Sequence, residues 1–163
     1  MPIYGTHTKR IATIAGGYYE IARSTWESSC NAPFEKELSV RHGKLIAAIM
    51  NMSFCVELCF KAQLPYGTQG HQLNDLFNKL MPEEQKELID YVTEEHKGRK
   101  GEHNKCDTEA DFRALLQDCS ENFIQSRYIF EEQKGNIYMP YWFLECLARN
   151  MLFTMGILDP SQV

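Results

Sequence analysis

Glu57 and Lys61 stand four residues apart in NMSFCVELCFKAQL, a stretch that is otherwise apolar nearly all round. A Glu one helical turn before a Lys is the favourable order for a same-helix ion pair. Glu145 and Arg149 repeat that spacing in the last apolar stretch. As two intrahelical pairs these charges need no function. Joined with Arg127 across helices, they would form a polar cluster inside an apolar bundle. Such a cluster is costly unless every group is satisfied, and it is a place where a ligand phosphate can sit. At 100° per residue, Arg127 projects about 60° from Phe112 and about 40° from Phe123, at the shoulder of their apolar stripe. An Arg there snorkels, pairs with Glu131 one turn on, or serves a ligand, since Arg is almost never buried alone. His71 follows Gly70 at the head of a short apolar stripe. It reads either as a polar residue for the free N–H groups of a helix start or as a proton carrier near neutral pH.

Several other chemistries are set aside by spacing. The residues three before the five histidines are Tyr4, Ser39, Thr68, Thr93 and Lys100, so no Glu-x-x-His exists to build a carboxylate di-metal bundle site. There is no P-loop, no G-x-G-x-x-G, no C-x-x-C and no H-E-x-x-H. His96, His103 and Cys106 share one charged segment, but three ligands at irregular spacing make a poor metal site. No metal and no cofactor are expected. Lys97, Arg99, Lys100 and Lys105 make the same segment basic, which reads as a solvated loop before it reads as a phosphate-contacting arm.

The elements that must position these residues are helical. Ile11 to Trp26 has apolar residues near helical spacing, with Gly16 and Gly17 either weakening the helix or permitting close contact. A connector over residues 28–33 leads to a second helix that starts between Phe34 and Lys44 and runs to about Leu64. Pro65, Gly67 and Gly70 break the chain. His71 to Leu80 reads as a short helix, and Pro82 starts a further one that ends near Glu94. Residues 94–107, with two glycines, many charges and no apolar period, read as an exposed, mobile loop. Thr108 and Asp111 are an N-cap pair for a helix carrying Phe112, Leu115, Leu116, Cys119, Phe123 and Phe130 on one face. Met139 to Met155 is the last helix, closed by Gly156. No segment alternates as a strand would. The expected fold is all-α: an up-and-down bundle of four main helices plus one or two short ones, forming a single domain over 1–163.

Bulk properties agree with a bundle. A chain of 163 residues with 44% hydrophobic and 24% charged residues can bury one real core. The net charge of -5 argues against a general DNA-coating role, which depends on Lys and Arg neutralising phosphates. The start MPIYGTHTKR lacks the apolar core of a signal peptide, and four of the six cysteines fall inside apolar helical patterns. These features read as reduced thiols and a cytoplasmic location. Leu45 to Leu64 and Tyr138 to Ile157 are long enough to span a bilayer. Each carries two charges, at roughly 2.5–3.5 kcal/mol per mid-span charge, so no membrane span is expected.

NMSFCVELCFKAQL, then GHQLNDLFNKL after a glycine-containing break, then SRYIFEE, together resemble the HEPN superfamily of small helical domains. The name abbreviates higher eukaryotes and prokaryotes nucleotide-binding. The matching positions are Glu57 and Lys61, then Gly70, His71, Leu73 and Leu76, then Arg127, Tyr128 and Glu131. The resemblance covers about Leu45 to Glu131. It implies a homodimer, and a module that binds a nucleotide, RNA or a cognate protein, as in toxin–antitoxin or defence systems. Glu57, Lys61, Arg127, Tyr128 and Glu131 would form the binding set. Ribonuclease members carry a His with four to six residues between it and the Arg. Here Glu132, Gln133 and Lys134 occupy those places, so the usual acid–base imidazole is missing and the module reads as catalytically degenerate. Two alternatives stand beside it. One is a metal-independent ribonuclease in which His71 and Arg127 are catalytic. The other is a structural helical dimer or antitoxin-like partner.

Overall fold

The structure is a computed structural model and describes residues 6–31, 38–99, 105–126 and 140–159. Among these residues six helices follow in order: α1 (Thr6–Cys30), α2 (Leu38–Gln63), α3 (Leu73–Phe77), α4 (Pro82–His96), α5 (Glu109–Ser126) and α6 (Tyr141–Thr154). There is no strand among the described residues. The all-α bundle is therefore what forms. Of the elements expected to be short only α3 is, since α4 has 15 residues against 14 in α6. The first helix also runs further than its apolar spacing suggested, through both glycines and into Ser28 and Ser29.

α2 is apolar nearly all round because it lies among neighbours, packing on α1, α3, α5 and α6. It is also the one described helix long and apolar enough to cross a membrane, although only half of that stretch is buried inside the bundle. Pair contacts fix the helix directions. Ser28 meets Lys44, Tyr18 packs on Phe54 and His7 on Tyr66, so α1 and α2 are antiparallel. α6 runs against both α1 and α4, with Trp26 on Tyr141 at one end and Gly16 near Ile157 at the other. One continuous cluster of buried side chains draws on all six helices, with Tyr19, Met52, Phe60, Phe77, Phe112, Phe143 and Met151 among its largest members.

The helix ends follow local chemistry. Pro82 opens α4, where the Glu84 carboxylate accepts the Met81 N–H at 3.0 Å. Thr108 and Asp111 cap α5 reciprocally, at 3.0 and 3.2 Å, as their spacing predicts. Gly156 ends α6 at φ 68°, with its N–H on the Phe153 carbonyl and the Ile157 N–H on the Leu152 carbonyl, both 2.9 Å. This left-handed turn leaves two α6 carbonyls satisfied and carries Ile157 onto α1.

That contact explains one of the two adjacent glycines. A Cβ on Gly16 would lie 2.7 Å from the Ile157 Cγ2, whereas one on Gly17 would meet nothing within 4 Å. Gly17→Ala is therefore expected to raise stability by about 1 kcal/mol from helix propensity alone, read as a higher urea midpoint. Gly16→Ala, which must displace Ile157, is expected to gain less or to lose stability. Equal gains at both positions would contradict the close approach.

The described parts of the 94–107 segment, residues 94–99 and 105–107, are less exposed than expected. Glu94 to His96 belong to α4, and His96 and Cys106 are buried at 2% and 0% exposure. The apolar surroundings that hold them come from distant elements, so local charge density concealed their burial. All six cysteines are free, and only Cys30 is exposed.

Candidate functional site

Glu57 sits on the interior side of α2 at 1% exposure, where its neighbours Val56 and Phe60 are fully buried. Its Oε1 takes two partners. Lys61 donates to it from one turn on at 2.8 Å, and the His71 Nδ1 lies 2.9 Å away. An ionised carboxylate can only accept, which assigns a proton to Nδ1 and leaves Nε2 on the far side of the ring. The His71 side chain is 62% exposed, so a buried carboxylate holds a solvent-facing imidazole by its inner nitrogen. Glu57 Oε2 is buried and has no partner among the described residues.

The loop between α2 and α3 makes this possible. After Pro65 the chain turns twice through positive φ, at Gly67 (83°) and Gly70 (118°), immediately before His71. A residue with a Cβ rarely adopts the Gly70 conformation. His71 does not cap α3: the N-cap position is Gln72, whose side chain makes no cap bond, and the Asn74 N–H of the first turn donates to the Ser120 hydroxyl of α5 at 3.4 Å. Instead His71 reaches back to α2, and this is the contact that sequence spacing did not reveal. Lys79 was also missed. Its ammonium donates to the Gln69 carbonyl at 3.3 Å and lies 4.0 Å from where a Gly70 Cβ would be, adding an exposed ammonium next to the turn that carries His71.

α3 then lies along α5. Asn78 meets Arg113, Phe77 packs on Phe112, and the Asn74 amide reaches Gln117 and Ser120. Read along the chain, α5 advances from the Asn78 end of α3 toward its His71 end. Arg127, Tyr128 and Glu131 come after Ser126 and lie outside the described residues, as do His103 and the apolar position Phe130. The structure thus brings together Glu57, Lys61 and His71 from the expected set. No group of three metal-ligating side chains occurs among the described residues.

Glu145 and Arg149 are not an isolated intrahelical pair. Arg149 Nε is 3.3 Å from Glu145 Oε1, and its Nη2 also bonds Glu95 of α4. The Tyr19 hydroxyl of α1 donates to Glu145 at 2.7 Å. This cross-helix network is separate from Glu57. Burial, followed by the bond to Glu145, pushes the Tyr19 phenol well above its ordinary range. Burial and a bond to Glu95 raise Tyr91 to about 12. Burial opposes the Glu95 charge, but the bonds from Arg149 and Tyr91 outweigh it and lower that carboxyl below its ordinary value.

No family model, curated protein or solved structure matches this chain.

Proposed function

We propose that this chain is a HEPN-like helical module that binds RNA through its phosphates, at the Glu57–Lys61–His71 cluster together with Arg127. The observation that carries this reading is the convergence of Glu57, Lys61 and His71, which belong to two separate stretches of the resemblance, on one carboxylate oxygen. One buried carboxylate steadies a partly exposed ammonium and an exposed imidazole, with Lys79 beside them. Cations held in place at a surface contact phosphate with less loss of side-chain freedom than unanchored ones. In this reading Arg127 supplies the bidentate phosphate contact. The direction of α5, toward the His71 end of α3, supports that role.

A second reading is favoured by one detail, the anchoring of His71 by Nδ1. A carboxylate on one ring nitrogen fixes the tautomer and leaves the other nitrogen to exchange protons with a substrate. In a metal-independent ribonuclease, the RNA 2′-oxygen would form a bond to phosphorus as the bond to the 5′-oxygen breaks. His71 Nε2 would carry the proton from the attacking to the leaving oxygen, leaving a 2′,3′-cyclic phosphate.

A labelled single-stranded RNA titrated with the whole chain tests both readings. Binding that weakens with salt, and weakens about tenfold or more in Arg127→Ala and in His71→Ala, is expected. No binding, or binding indifferent to both substitutions, overturns the proposal. Incubating the same RNA without metal separates the second reading. Cyclic-phosphate ends that vanish with His71→Ala identify a nuclease, and intact RNA leaves the binding module.

A further inference from the structure

The groove between α1 and α6 is chemically richer than a structural seam requires. It holds an open cleft of about 360 Å³, at the lower end of small-molecule sites, lined by Arg23, Trp26, Glu27, Tyr141, Trp142, Glu145 and Arg149. The lining combines two opposite-charge pairs with three aromatic rings, and it shares no residue with the Glu57 cluster.

Its polar groups are unequally committed. Arg149 is occupied by Glu95 and Glu145. Among the described residues, the Arg23 guanidinium has only a loose contact with Glu27 at 3.5 Å and the face of the Tyr19 ring at 5.8 Å. With a side chain 40% exposed, that i,i+4 pair contributes little, so most of the planar fork of donors on Arg23 is open. Two further donors are buried without a partner among the described residues. These are the Tyr141 hydroxyl, on a residue 7% exposed, and the Trp142 Nε1–H. Neither atom has accessible surface, so the donor that faces a ligand in the groove is the Arg23 guanidinium. Glu27 and Glu145 supply acceptors for a cation at the same place. Trp26, stacked on Tyr141 at 4.0 Å with 5° between planes, offers a flat apolar wall.

We propose that this cavity binds a free α-amino acid with an aromatic side chain, as the zwitterion. Arg23 takes the carboxylate, Glu27 and Glu145 take the ammonium, and the ring lies against the Trp26 and Trp142 wall. The equal numbers of each charge in the lining match a ligand of zero net charge.

The chain has two tryptophans, and both line this cavity, so intrinsic tryptophan fluorescence reads the site directly. The probes are L-phenylalanine, 3-phenylpropionate, phenethylamine and L-alanine, which dissect ammonium, carboxylate and ring in turn. L-phenylalanine is expected to give a saturable change, and each comparator about tenfold weaker binding. Arg23→Gln is expected to weaken L-phenylalanine about tenfold while leaving phenethylamine unchanged, a pattern that a general structural defect does not produce. An absent response to L-phenylalanine overturns the proposal. So does equal binding of L-phenylalanine and either phenyl comparator, which wild-type protein decides even if the variant does not fold.

Discussion

Between pH 6.5 and about 4, the protein is expected to lose about 2–3 kcal/mol of stability through one side chain, His96. Its ring is 2% exposed, packs on Trp142 with centroids 4.3 Å apart, and has no partner for either nitrogen among the described residues. Burial is the main reason its pKa falls from the ordinary 6.5 to about 4, and the charges of Arg99 and Arg149 lower it further while Glu95 opposes them. The folded value lies below the unfolded one, so in this window the unfolded chain binds a proton that the folded chain refuses. His96 therefore carries no protonation penalty well above pH 6.5, and that penalty grows as pH falls until both states are protonated below about 4. Glu95, whose carboxyl is lowered by Arg149 and Tyr91 against the effect of burial, adds a separate loss only below its ordinary 4.5. Urea denaturation at closely spaced pH values, with His96→Leu beside the wild type, measures the effect. The Leu variant is expected to hold level from pH 6.5 to 4.5, and to match or exceed wild type at neutral pH because two unpaired buried nitrogens are gone. An unchanged slope in the variant would mean that His96 is not the group being titrated.

The helical bundle was legible because α1, α2, α4 and α6 carry their own periodicity and stop signals. Pro82, the Thr108–Asp111 cap and Gly156 act within a few residues, and each behaves as its local chemistry requires. The Glu57–Lys61 pair was legible for the same reason, since one helical turn is a local relation. The contacts that define the candidate site are of another kind. His71 is 14 residues from Glu57, across a loop whose two positive-φ glycines set the reach, and no periodicity carries that geometry. The Arg149–Glu95 bond spans 54 residues and the Tyr19–Glu145 bond spans 126, so half of each polar network could not be read from its own helix. His96 and Cys106 failed in the opposite sense. Their charged neighbours suggested solvent, while packing from α6 and the core buried both. Local chemistry thus located the helices, and only the packing decided which charges became partners.

Lys61→Met is expected to lower stability by about 3 kcal/mol, the usual cost of leaving a buried charge without its partner. Glu57 is 1% exposed and its Oε2 already has no partner among the described residues. Losing the 2.8 Å bond from Lys61 leaves the carboxylate only His71, whose ring is mostly in solvent. The double variant Glu57→Leu/Lys61→Met removes both charges and fills the site with apolar atoms of similar size. It should return to within about 1 kcal/mol of wild type, or exceed it. A thermodynamic cycle built with Glu57→Leu alone then gives the coupling between the two side chains. A loss below about 1 kcal/mol for Lys61→Met would show that the carboxylate does not depend on Lys61. The same double variant separates stability from function. It keeps the core while releasing His71 from its anchor and deleting one cation, so under the proposed function a folded bundle should bind RNA far more weakly. If the double variant is stable and binds RNA as wild type does, the Glu57 cluster is a packing feature and the RNA site lies elsewhere.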